Sequence, residues 1–586
     1  MENGVNASYD TEIRDLKRWF EEAEDASYSS DQKAQRDRDY YDNKQLTDAE
    51  LKVLQDRKQP AVTFNFVRAR IDYLKGLAKK QRRDPKAWPR NPQDQEAADA
   101  FTDGMRYAVE ASRYDEARGK AFENILIEGV GGVEWSAEQG ADGEIAFVAE
   151  PIPWERLFID PHSKKLDASD AKYIGLSRWM DLDDIVGDYG DAGKEAYETE
   201  RSNTVSQSGR YDDRPSDWGW YDTKRNRVRV VTIWYRKRGE WHWCEFSGSV
   251  KFGGGPSPYR TRHGESLCPL IINTAYIDRE NNRYGVVRDL IDPQDEYNKR
   301  RSKLLHLANT RQVRQTEEHA EVDRDNVKRE VADPTGFIPW GVDIVPTADI
   351  AAINAQLLAS TQSFIMQQGP NAALLGKGTE EQSGRAIEAQ QAGGLIELGD
   401  LMDALRQIDR RSFKLVAAMM QQFWTSERWV RVTDDPMTPR YVGLNVAEVD
   451  DFGQVVGMQN YVPELDLDIV IEDAPDTISL EGPAYEAMQQ VLMMAGRVPP
   501  QVLAIAIEAN PALPVAKKKR LLDMVEQMQG GGQQGPDPAQ QQMMALQGRK
   551  AEADIAKTEA DALRSFSQAQ AAMVRAQQPA MTAMPA

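Results

Sequence analysis

Few residues of this chain have the type and spacing of a catalytic site. The 586 residues include five histidines, at positions 162, 242, 263, 306 and 319. No two of them form the HExxH pattern that binds zinc, and the last two lie thirteen residues apart, too far to share one helix face directly. No G-x-S-x-G sequence, in which a strained turn presents a nucleophilic serine, is present. We therefore predict structural histidines and no catalytic residues.

Two glycine-containing segments begin like nucleotide-binding loops and then depart from the pattern. Gly129–Gly132 reads GVGG, but Glu134 stands where a dinucleotide-binding loop has its third glycine. Leu374–Thr379 reads LLGKGT, but Asn371 stands where a phosphate-binding loop has its first glycine, and no buried strand precedes it. The backbone cradle for phosphates is missing, so we do not expect an NTPase.

Carboxylates and thiols do not define a site either. Paired carboxylates occur at Asp183–Asp184, Asp434–Asp435 and Asp450–Asp451, as expected of a chain with 94 acidic residues. General acid–base catalysis needs a carboxyl group with a raised pKa in an apolar cleft, which the sequence does not identify. Cys244 and Cys268 are too few for a disulfide scaffold or a four-thiolate metal site, and they fit a reducing compartment. We predict no metal and no cofactor.

The composition is that of a large, acidic, folded protein. Lys and Arg number 73 against 94 Asp and Glu, and the net charge of −21 argues against a protein that coats nucleic acid with a basic surface. No run of eighteen apolar residues exists and the N-terminus lacks an apolar core, so we expect neither a membrane span nor a secretory signal. At roughly 100–200 residues per domain, the length predicts three to five domains.

The N-terminal part is predicted to combine helices with antiparallel strands. Helices are predicted at residues 1–60, Gln93–Val109 and Tyr114–Glu128. A further helix, between the first two, has Val67, Ile71, Leu74 and Leu77 on one face. The predicted strands are a hairpin of Val133–Trp135 with Glu144–Val148, then Val228–Tyr235, Trp241–Phe246 and Leu270–Ile277. Residues 187–220 are polar and nearly free of aliphatic side chains, which predicts a long exposed loop. The expected fold class is α+β, mainly helical.

The middle of the chain carries the most informative pattern. Asp292 and Pro293 fit the N-cap and first position of a helix that runs to Asn309. A strand–helix–strand piece at 312–346 separates it from a second helix, Asp349–Gln368. A Gly-rich polar loop, Asn371–Gly384, leads into Arg385–Trp424, a helical pattern of ~60 Å with a predicted kink at Gly393–Gly394. A helix this long with a loop at its head is unusual in a small-molecule enzyme and is common in large ring assemblies.

The C-terminal part is less regular. Strands are predicted at Arg440–Leu444 and Leu465–Ile471, and helices at Pro483–Met494 and Pro500–Ala509. From Met528 the composition changes to Gln, Ala, Met and Gly, which predicts a flexible hinge and a low-complexity tail.

Several segments, in this order, resemble the portal proteins of tailed bacteriophages, the short-tailed (podovirus) type in particular. They are Arg36–Asn65 (RDRDYYDNKQLTDAELKVLQDRKQPAVTFN), Ile152–Asp184 (IPWERLFIDPHSKKLDASDAKYIGLSRWMDLDD), Arg283–His306 (RYGVVRDLIDPQDEYNKRRSKLLH) and Gly369–Ile387 (GPNAALLGKGTEEQSGRAI). The resemblance covers roughly residues 36–430, whereas the C-terminal third resembles the family in composition alone. None of the motifs is catalytic, so the specificity lies in their joint order.

The resemblance implies a ring-forming portal fold with a wing, a stem, a clip and a crown. The corresponding segments would be 1–284 (N-terminal wing, with the exposed loop at about 187–220), 285–311 (first stem helix), 312–346 (clip), 347–369 (second stem helix), 370–384 (tunnel loop), 385–435 (long wing helix), 436–528 (crown) and 529–586 (a Gln/Ala-rich tail, either a helical barrel or disordered).

The resemblance also implies a function without chemistry of its own. Such proteins form a ring of twelve subunits at one capsid vertex, through which double-stranded viral DNA is packaged and later ejected. The partners implied are other copies of the chain, viral DNA bound without sequence specificity, the terminase large subunit, tail adaptor proteins, and the major capsid and scaffolding proteins, with no membrane. The expected location is the virion, with the host cytoplasm during assembly.

Three groups of residues would make these contacts. The tunnel loop would present Asn371, Lys377, Gly378, Thr379, Ser383 and Arg385 to DNA. The clip would present Arg314, Glu317, Glu318, Arg324, Lys328 and Arg329 to the terminase. The stem residues Lys299, Arg300, Arg301 and Lys303 would either contact DNA or pair with acidic residues of a neighbouring subunit. Two other functions stay open from the residues alone, a metal-dependent nuclease and a capsid or tail component without a channel.

Overall fold

The computed structural model describes residues 2–80, 83–140, 143–203, 219–309, 313–316, 323–333, 335–338, 340–345, 348–367, 398–432, 440–449, 455–473 and 507. The chain divides into two compact units, Met1–Ala474 and Pro475–Ala586. The helices and strands given below all belong to the first unit. The predicted helices Pro483–Met494 and Pro500–Ala509 and the tail from 529 lie outside the described residues, except for residue 507.

Helices form where the apolar residues recur with a helical period. They are α1 (Glu2–Tyr41), α2 (Asp48–Asp56), α3 (Phe66–Lys80), α4 (Gln95–Ala111), α5 (Tyr114–Ile127), α6 (Leu182–Asn203), α7 (Arg288–Asn309), α8 (Arg324–Ala332), α9 (Ala348–Gln367) and α10 (Gly399–Phe423). Helix α3 buries Val67, Ile71 and Leu74, which confirms the predicted face. Helix α10 buries Leu401, Leu405, Ile408, Leu415 and Met419, and the predicted first part of this helix, 385–397, lies outside the described residues.

Nine of the twelve strands described in the N-terminal part form two antiparallel sheets. The strands are β1 (Arg83–Pro89), β2 (Val130–Gln139), β3 (Ile145–Pro151), β4 (Leu157–Ile159), β5 (Tyr173–Asp181), β6 (Tyr221–Asp222), β7 (Arg227–Lys237), β8 (Glu240–Ser247), β9 (Val250–Pro256), β10 (Leu270–Thr274), β11 (Tyr276–Ile277) and β12 (Arg283–Tyr284). One sheet has the order β10-β2-β3, and the other has the order β4-β5-β7-β8-β9 with β6 beside β7. The predicted hairpin is the β2–β3 pair.

Later strands pair in twos. They are β13 (Val313–Gln315), β14 (Val342–Ile344), β15 (Arg428–Val432), β16 (Arg440–Leu444), β17 (Val446–Val449), β18 (Val455–Gln459) and β19 (Leu467–Asp473). The pairs are β13–β14, β15–β16 and β17–β18, while β19 pairs with β1 over the full length of both strands. A strand from the predicted crown therefore completes a ribbon that starts in the N-terminal part.

The main core lies between the three-stranded sheet and helices α3, α4, α5 and α10. Tyr114 stacks on Trp135 with ring centroids 5.4 Å apart and meets Phe413 edge-on at 5.8 Å. Beside them Arg118 Nε donates to Asp409 Oδ1 at 2.6 Å, and the Tyr114 hydroxyl donates to the same oxygen at 2.9 Å. Burying this ion pair is tolerable because Asp409 is hydrogen-bonded on both oxygens. The contact fixes α10 against α5.

The predicted exposed loop at 187–220 is wrong for its first seventeen residues, because they belong to α6. Ile185, Ala196 and Tyr197 are buried against β6 and β7, and Tyr189 stacks on Phe252 of β9 at 4.2 Å. These few apolar side chains at helical spacing anchor a helix that is otherwise polar. Gly190 takes a left-handed conformation (φ 58°) and kinks the helix. Residues 204–218 lie outside the described residues.

Two boundaries in the middle of the chain also differ from prediction. Helix α7 starts at Arg288 rather than at Asp292, because burial of Val287 and Leu290 in the main core folds the chain into a helical turn ahead of Pro293. The second strand of the 312–346 piece is Val342–Ile344 and not the GFIPW segment, since Val342 pairs with Gln315. The first strand, the helix and the second long helix lie as predicted.

Candidate functional site

The candidate site is the segment from α7 to α9, predicted above as stem and clip. The chain runs along α7, passes through β13, α8 and β14, and continues along α9, which packs on α7. Tyr297 of α7 and Leu358 and Ile365 of α9 form a buried cluster, with Leu304 and Phe66 packed against it. The Tyr297 ring meets the rings of Phe64 and Phe66 edge-on, at 5.8 and 5.0 Å between centroids. The packed helices α7 and α9 are therefore connected by a small module, which consists of β13, α8 and β14.

One face of α7 binds the backbone of the extended segment before α3 through uncharged side chains. Gln294 Oε1 accepts from Phe66 N at 3.1 Å, Asn298 Oδ1 accepts from Phe64 N at 3.0 Å, and Ser302 Oγ accepts from Val62 N at 3.4 Å. All three side chains are buried. Because they are four residues apart on a helix, they lie in one row that matches alternate residues of an extended chain. We call this row the amide ladder.

Sequence reasoning missed the amide ladder. The signal was available as three uncharged polar residues at spacings of four within a helix that is otherwise rich in charge. The pattern did not reveal what these residues bind, because their partners lie more than 200 residues earlier in the chain. The ladder makes the position of α7 depend on the N-terminal part.

The predicted stem cations divide into two pairs. Lys299 Nζ lies 3.3 Å from Asp295 Oδ2, and Arg300 Nε donates to Glu296 Oε1 at 2.7 Å, so both are neutralised within their own helix. The Arg301 guanidinium lies over the Phe64 ring at 5.8 Å, and Lys303 is exposed. Acidic residues of a neighbouring subunit are therefore not required to neutralise the positive charges of Lys299 and Arg300.

The C-terminal end of α1 ties α7 to the core. The Tyr40 hydroxyl donates to Asp295, and Asp37 lies 3.7 Å from the Arg288 guanidinium. Burial raises the pKa of Asp37 to about 7, although the Arg288 charge opposes this shift. Arg38 binds Glu123 at 2.9 Å and Glu128 at 2.5 Å on the other side. Helix α1 thus links α5 with α7 through partly and wholly buried charges.

The predicted clip is a small module with an exposed polar surface. Strands β13 and β14 pair with Arg314 opposite Asp343, and these side chains are 3.9 Å apart. Asp323 caps α8 by accepting from Asp325 N and Asn326 N. The predicted docking residues Arg314, Arg324, Lys328 and Arg329 are all exposed, while Glu317 and Glu318 lie outside the described residues. The module therefore offers its cations to solvent.

Large apolar side chains are also exposed in this segment, and the sequence pattern did not indicate their exposure. Phe337 and Trp340, between α8 and β14, are 83% and 87% exposed. On α9, Ile353, Leu357 and Phe364 are 57%, 39% and 47% exposed and follow one helical stripe. Exposed apolar groups of this size mark contact surfaces in folded proteins.

The predicted tunnel loop and its residues are not described by the structure. Asn371, Lys377, Gly378, Thr379, Ser383 and Arg385 all lie within 368–397. Their contacts with DNA therefore stay a prediction.

The described histidines, cysteines and carboxylates do not form a metal site. Within the ranges given above, no group of three or more His, Cys, Asp or Glu side chains is arranged to hold a metal ion. Burial raises the pKa of Cys244 to about 11 and that of Cys268 to about 12, which keeps both thiols protonated. The GVGG segment serves packing, because a Cβ on Gly131 would lie 2.2 Å from the Ala121 carbonyl oxygen. Among the described helices, none is both long and apolar enough to cross a bilayer.

Comparison with known proteins finds similarity along nearly the whole chain. The model of the phage P22-like portal protein family matches residues 17–583. The portal protein of Helicobacter pylori bacteriophage KHP30 is 22% identical over 541 residues, which cover 89% of this chain and 84% of that protein. Both matches include the segment from α7 to α9 and extend beyond the 36–430 range of the resemblance seen in the sequence.

Proposed function

The chain belongs to the phage P22-like portal protein family, and on that premise we propose that it assembles into a ring of about twelve subunits at one capsid vertex. The ring is the conduit through which double-stranded viral DNA enters the capsid during packaging and leaves at ejection. The observation that carries this proposal is the family match over residues 17–583. Portal proteins are structural components and not enzymes.

The composition of α9 supports assembly into a ring. Asp349 is its one charged residue among twenty, and Ile353, Leu357 and Phe364 remain exposed on the isolated subunit. A helix with so little charge is normally buried on more than one side. In a ring, the stripe of one subunit is covered by a different surface of the next, and the contact closes by rotation.

The charge balance supports a conduit that does not hold DNA tightly. Each phosphate neutralised by a cation adds affinity, which would slow a duplex that must slide. A net charge of −21 per subunit repels the DNA backbone, and the pairing of Lys299 and Arg300 with their own helix removes two stem cations. In this proposal Lys377 and Arg385 of the tunnel loop make transient phosphate contacts, and Arg301 and Lys303 are the remaining stem candidates. No base sequence is read, because a ring of identical subunits cannot match base edges.

The exposed clip supports a docking role. We place the terminase large subunit there during packaging and the tail adaptor proteins afterwards, while scaffolding and major capsid proteins surround the ring. Phe337 and Trp340 provide the large apolar contacts typical of interface hot spots, and Arg314 and Lys328 provide charge at the rim. The ring then resides in the virion, after assembly in the host cytoplasm.

Negative-stain electron microscopy of the purified chain tests the proposal. We expect class averages with about twelvefold rotational symmetry and a central hole wide enough for a duplex. Preparing the protein with and without scaffolding protein controls for assembly that needs a partner. Monomers or dimers under both conditions would contradict the ring.

A further inference from the structure

The connection between β4 and β5, residues 160–172, is a structured loop with no role in the proposed ring, channel or clip. Asp160 accepts from the backbone N–H groups of residues 162 and 172, each at 2.9 Å. Asp170 accepts from the Ser163 hydroxyl and from the backbone N–H of residue 164, each at 2.8 Å. The two carboxylates therefore bind polar groups of the loop itself and hold its ends and its middle together. We call this segment the β4–β5 loop.

Side chains from other parts of the chain bind the carbonyl oxygens of the β4–β5 loop. The Arg283 guanidinium of β12 donates to those of residues 163 and 165, at 3.3–3.5 Å. Arg411 of α10 donates to that of residue 167, and Arg236 of β7 donates to that of residue 169, each at 2.9 Å. Asn281, just before β12, donates to that of residue 163, also at 2.9 Å. A backbone held at four carbonyl oxygens loses little further conformational entropy when its exposed side chains bind a partner.

The inner side of the β4–β5 loop packs into the protein. Ala168 and Ala171 are buried in a cluster with Ile174 and Trp234. Ala168 has a left-handed backbone (φ 49°), which an alanine adopts only where the surrounding structure requires it. The loop is therefore fixed by apolar packing as well as by hydrogen bonds.

The outer side of the same loop presents positive charge to solvent. His162, Lys164, Lys165 and Leu166 are all exposed, and Leu166 is 41% exposed. Among the residues that the structure describes, neither Lys164 nor Lys165 forms an ion pair, whereas His162 lies 3.7 Å from Glu22. Two adjacent ammonium groups on a fixed backbone, in a chain with a net charge of −21, form a surface that attracts carboxylates.

The surroundings of the two lysines favour a peptide over a nucleic acid. Nonspecific binding of a duplex depends on several phosphate contacts, and a rigid duplex would also bring phosphates near Glu22 and Asp170. A flexible peptide can place its carboxylates on Lys164 and Lys165 and avoid these acidic groups. The exposed Leu166 beside the lysines adds an apolar contact, which a phosphate backbone does not use.

We propose that the tip of the β4–β5 loop docks an acidic peptide segment of another protein. Lys164 and Lys165 bind carboxylates of that segment, and Leu166 contacts an apolar side chain next to them. The contacts of Arg283, Arg411 and Asn281 position the loop without touching the partner. All of these residues belong to one subunit, so the proposal does not depend on ring formation.

Fluorescence anisotropy with the full chain tests the docking. The probe is a fluorescein-labelled peptide of sequence Glu-Glu-Leu-Glu-Glu-Leu, and the control peptide carries Gln in place of each Glu. We expect the acidic peptide to bind, with an affinity that falls as salt is added, and the control peptide not to bind. Equal binding of the two peptides, or no binding of the acidic peptide, overturns the proposal.

A pair of variants with equal loss of charge locates the binding. Lys164→Ala/Lys165→Ala should weaken binding of the acidic peptide by about fivefold or more, because two exposed ion pairs are lost. Lys52→Ala/Lys58→Ala removes the same charge from exposed positions in and just after α2 and should change the affinity by less than about twofold. Equal affinities of the two variants would refute the assignment to the loop.

A DNA duplex of about twelve base pairs serves as the competing class of ligand. The wild-type chain and Lys164→Ala/Lys165→Ala should bind the duplex equally. Weaker binding by the variant would show that these lysines contact nucleic acid, which would overturn docking of a peptide.

A last variant tests whether the fixed backbone matters. Asn281→Gly suits the left-handed backbone of residue 281 (φ 66°) and removes a donor that holds the loop, while both lysines remain. It should weaken binding of the acidic peptide by about twofold or more, with circular dichroism as a check of the fold. An unchanged affinity would overturn the positioning role of the contacts that hold the loop.

Discussion

At the scale of single residues, we expect the amide ladder on α7 to contribute more to the stability of the fold than the cations beside it. Asn298 accepts from Phe64 N and donates to Gln45 Oε1, and both amides are buried. Truncating it removes the acceptor of the part-buried Phe64 N–H and the donor to the buried Gln45 side-chain oxygen. A polar group that has been removed from water and has no hydrogen-bond partner destabilises the folded state.

We therefore predict that Asn298→Ala lowers the free energy of unfolding by about 1–3 kcal/mol. Lys303→Ala, on the exposed side of the same helix, should change it by less than about 0.5 kcal/mol. Urea unfolding followed by tryptophan fluorescence compares the two. Equal effects of both substitutions would show that the ladder does not position α7.

A second residue-scale prediction concerns pH. Burial raises the pKa of Glu134 to about 7, and the nearby Glu150 and Glu245 carboxylates add to the shift. Since the folded-state pKa lies above the ordinary value of 4.5, this group stabilises the fold fully below pH 4.5. Its contribution is lost as the pH rises through 7.

The variant Glu134→Gln should therefore flatten the decline in stability between pH 4.5 and 8, by about 1–3 kcal/mol over the whole interval. The matched control is Glu138→Gln, an exposed position on the same strand. Thermal unfolding measured across this pH range gives the slopes. A decline of equal steepness in all three proteins would refute the role of Glu134.

At the scale of elements, α9 presents two different faces. The face with Leu358 and Ile365 packs on α7, and the stripe of Ile353, Leu357 and Phe364 is exposed. The first face stabilises the subunit, whereas we assign the second to the contact between subunits. Charges on the two faces should have different consequences.

Leu357→Asp should abolish ring assembly while leaving the subunit folded, because a charge in an apolar interface is not compensated. Ala355→Asp adds the same charge at an exposed position on the other side of α9 and should allow assembly. Size-exclusion chromatography with light scattering measures the mass. Rings of normal mass from Leu357→Asp would remove the stripe from the interface.

The clip is the second element whose exposed surface we assign to a contact with another protein. Trp340→Ala and Phe337→Ala should each weaken terminase docking by about tenfold or more, as expected for hot-spot side chains, and leave ring mass unchanged. Lys328→Ala, which removes an exposed charge, should have a smaller effect. Pull-down with the terminase large subunit measures docking. Unchanged docking in a scan of 312–346 would place the site elsewhere.

At the scale of the whole molecule, assembly and DNA transit should be separable. We predict that deletion of Asn371–Gly384 leaves the ring intact but reduces the DNA packaged or retained, because the segment assigned to DNA contact is not part of the stripe on α9. Packaging assays with nuclease protection measure the retained DNA, and electron microscopy checks the ring. Normal packaging by the deletion variant would reject the tunnel-loop assignment.

The sequence by itself determined the elements whose cause is local. The period of 3.6 residues placed α3, α4, α5 and α10, and the alternation of apolar residues placed β2, β3, β7 and β8. The order of motifs from Arg36 to Ile387 indicated the portal family, which the comparisons show. These features depend on residues close together in the chain, so a pattern along the chain contains them.

The tertiary structure alone decided the features that join distant residues. Helix α6 forms in a polar stretch that was predicted to be an exposed loop. It forms because Ile185, Ala196 and Tyr197 pack against apolar side chains of strands β6 and β7. Strand β19 pairs with β1 across nearly four hundred residues, and the amide ladder joins positions more than two hundred residues apart. Such contacts are chosen by packing and by the need to satisfy buried polar groups, and neither leaves a period in the sequence.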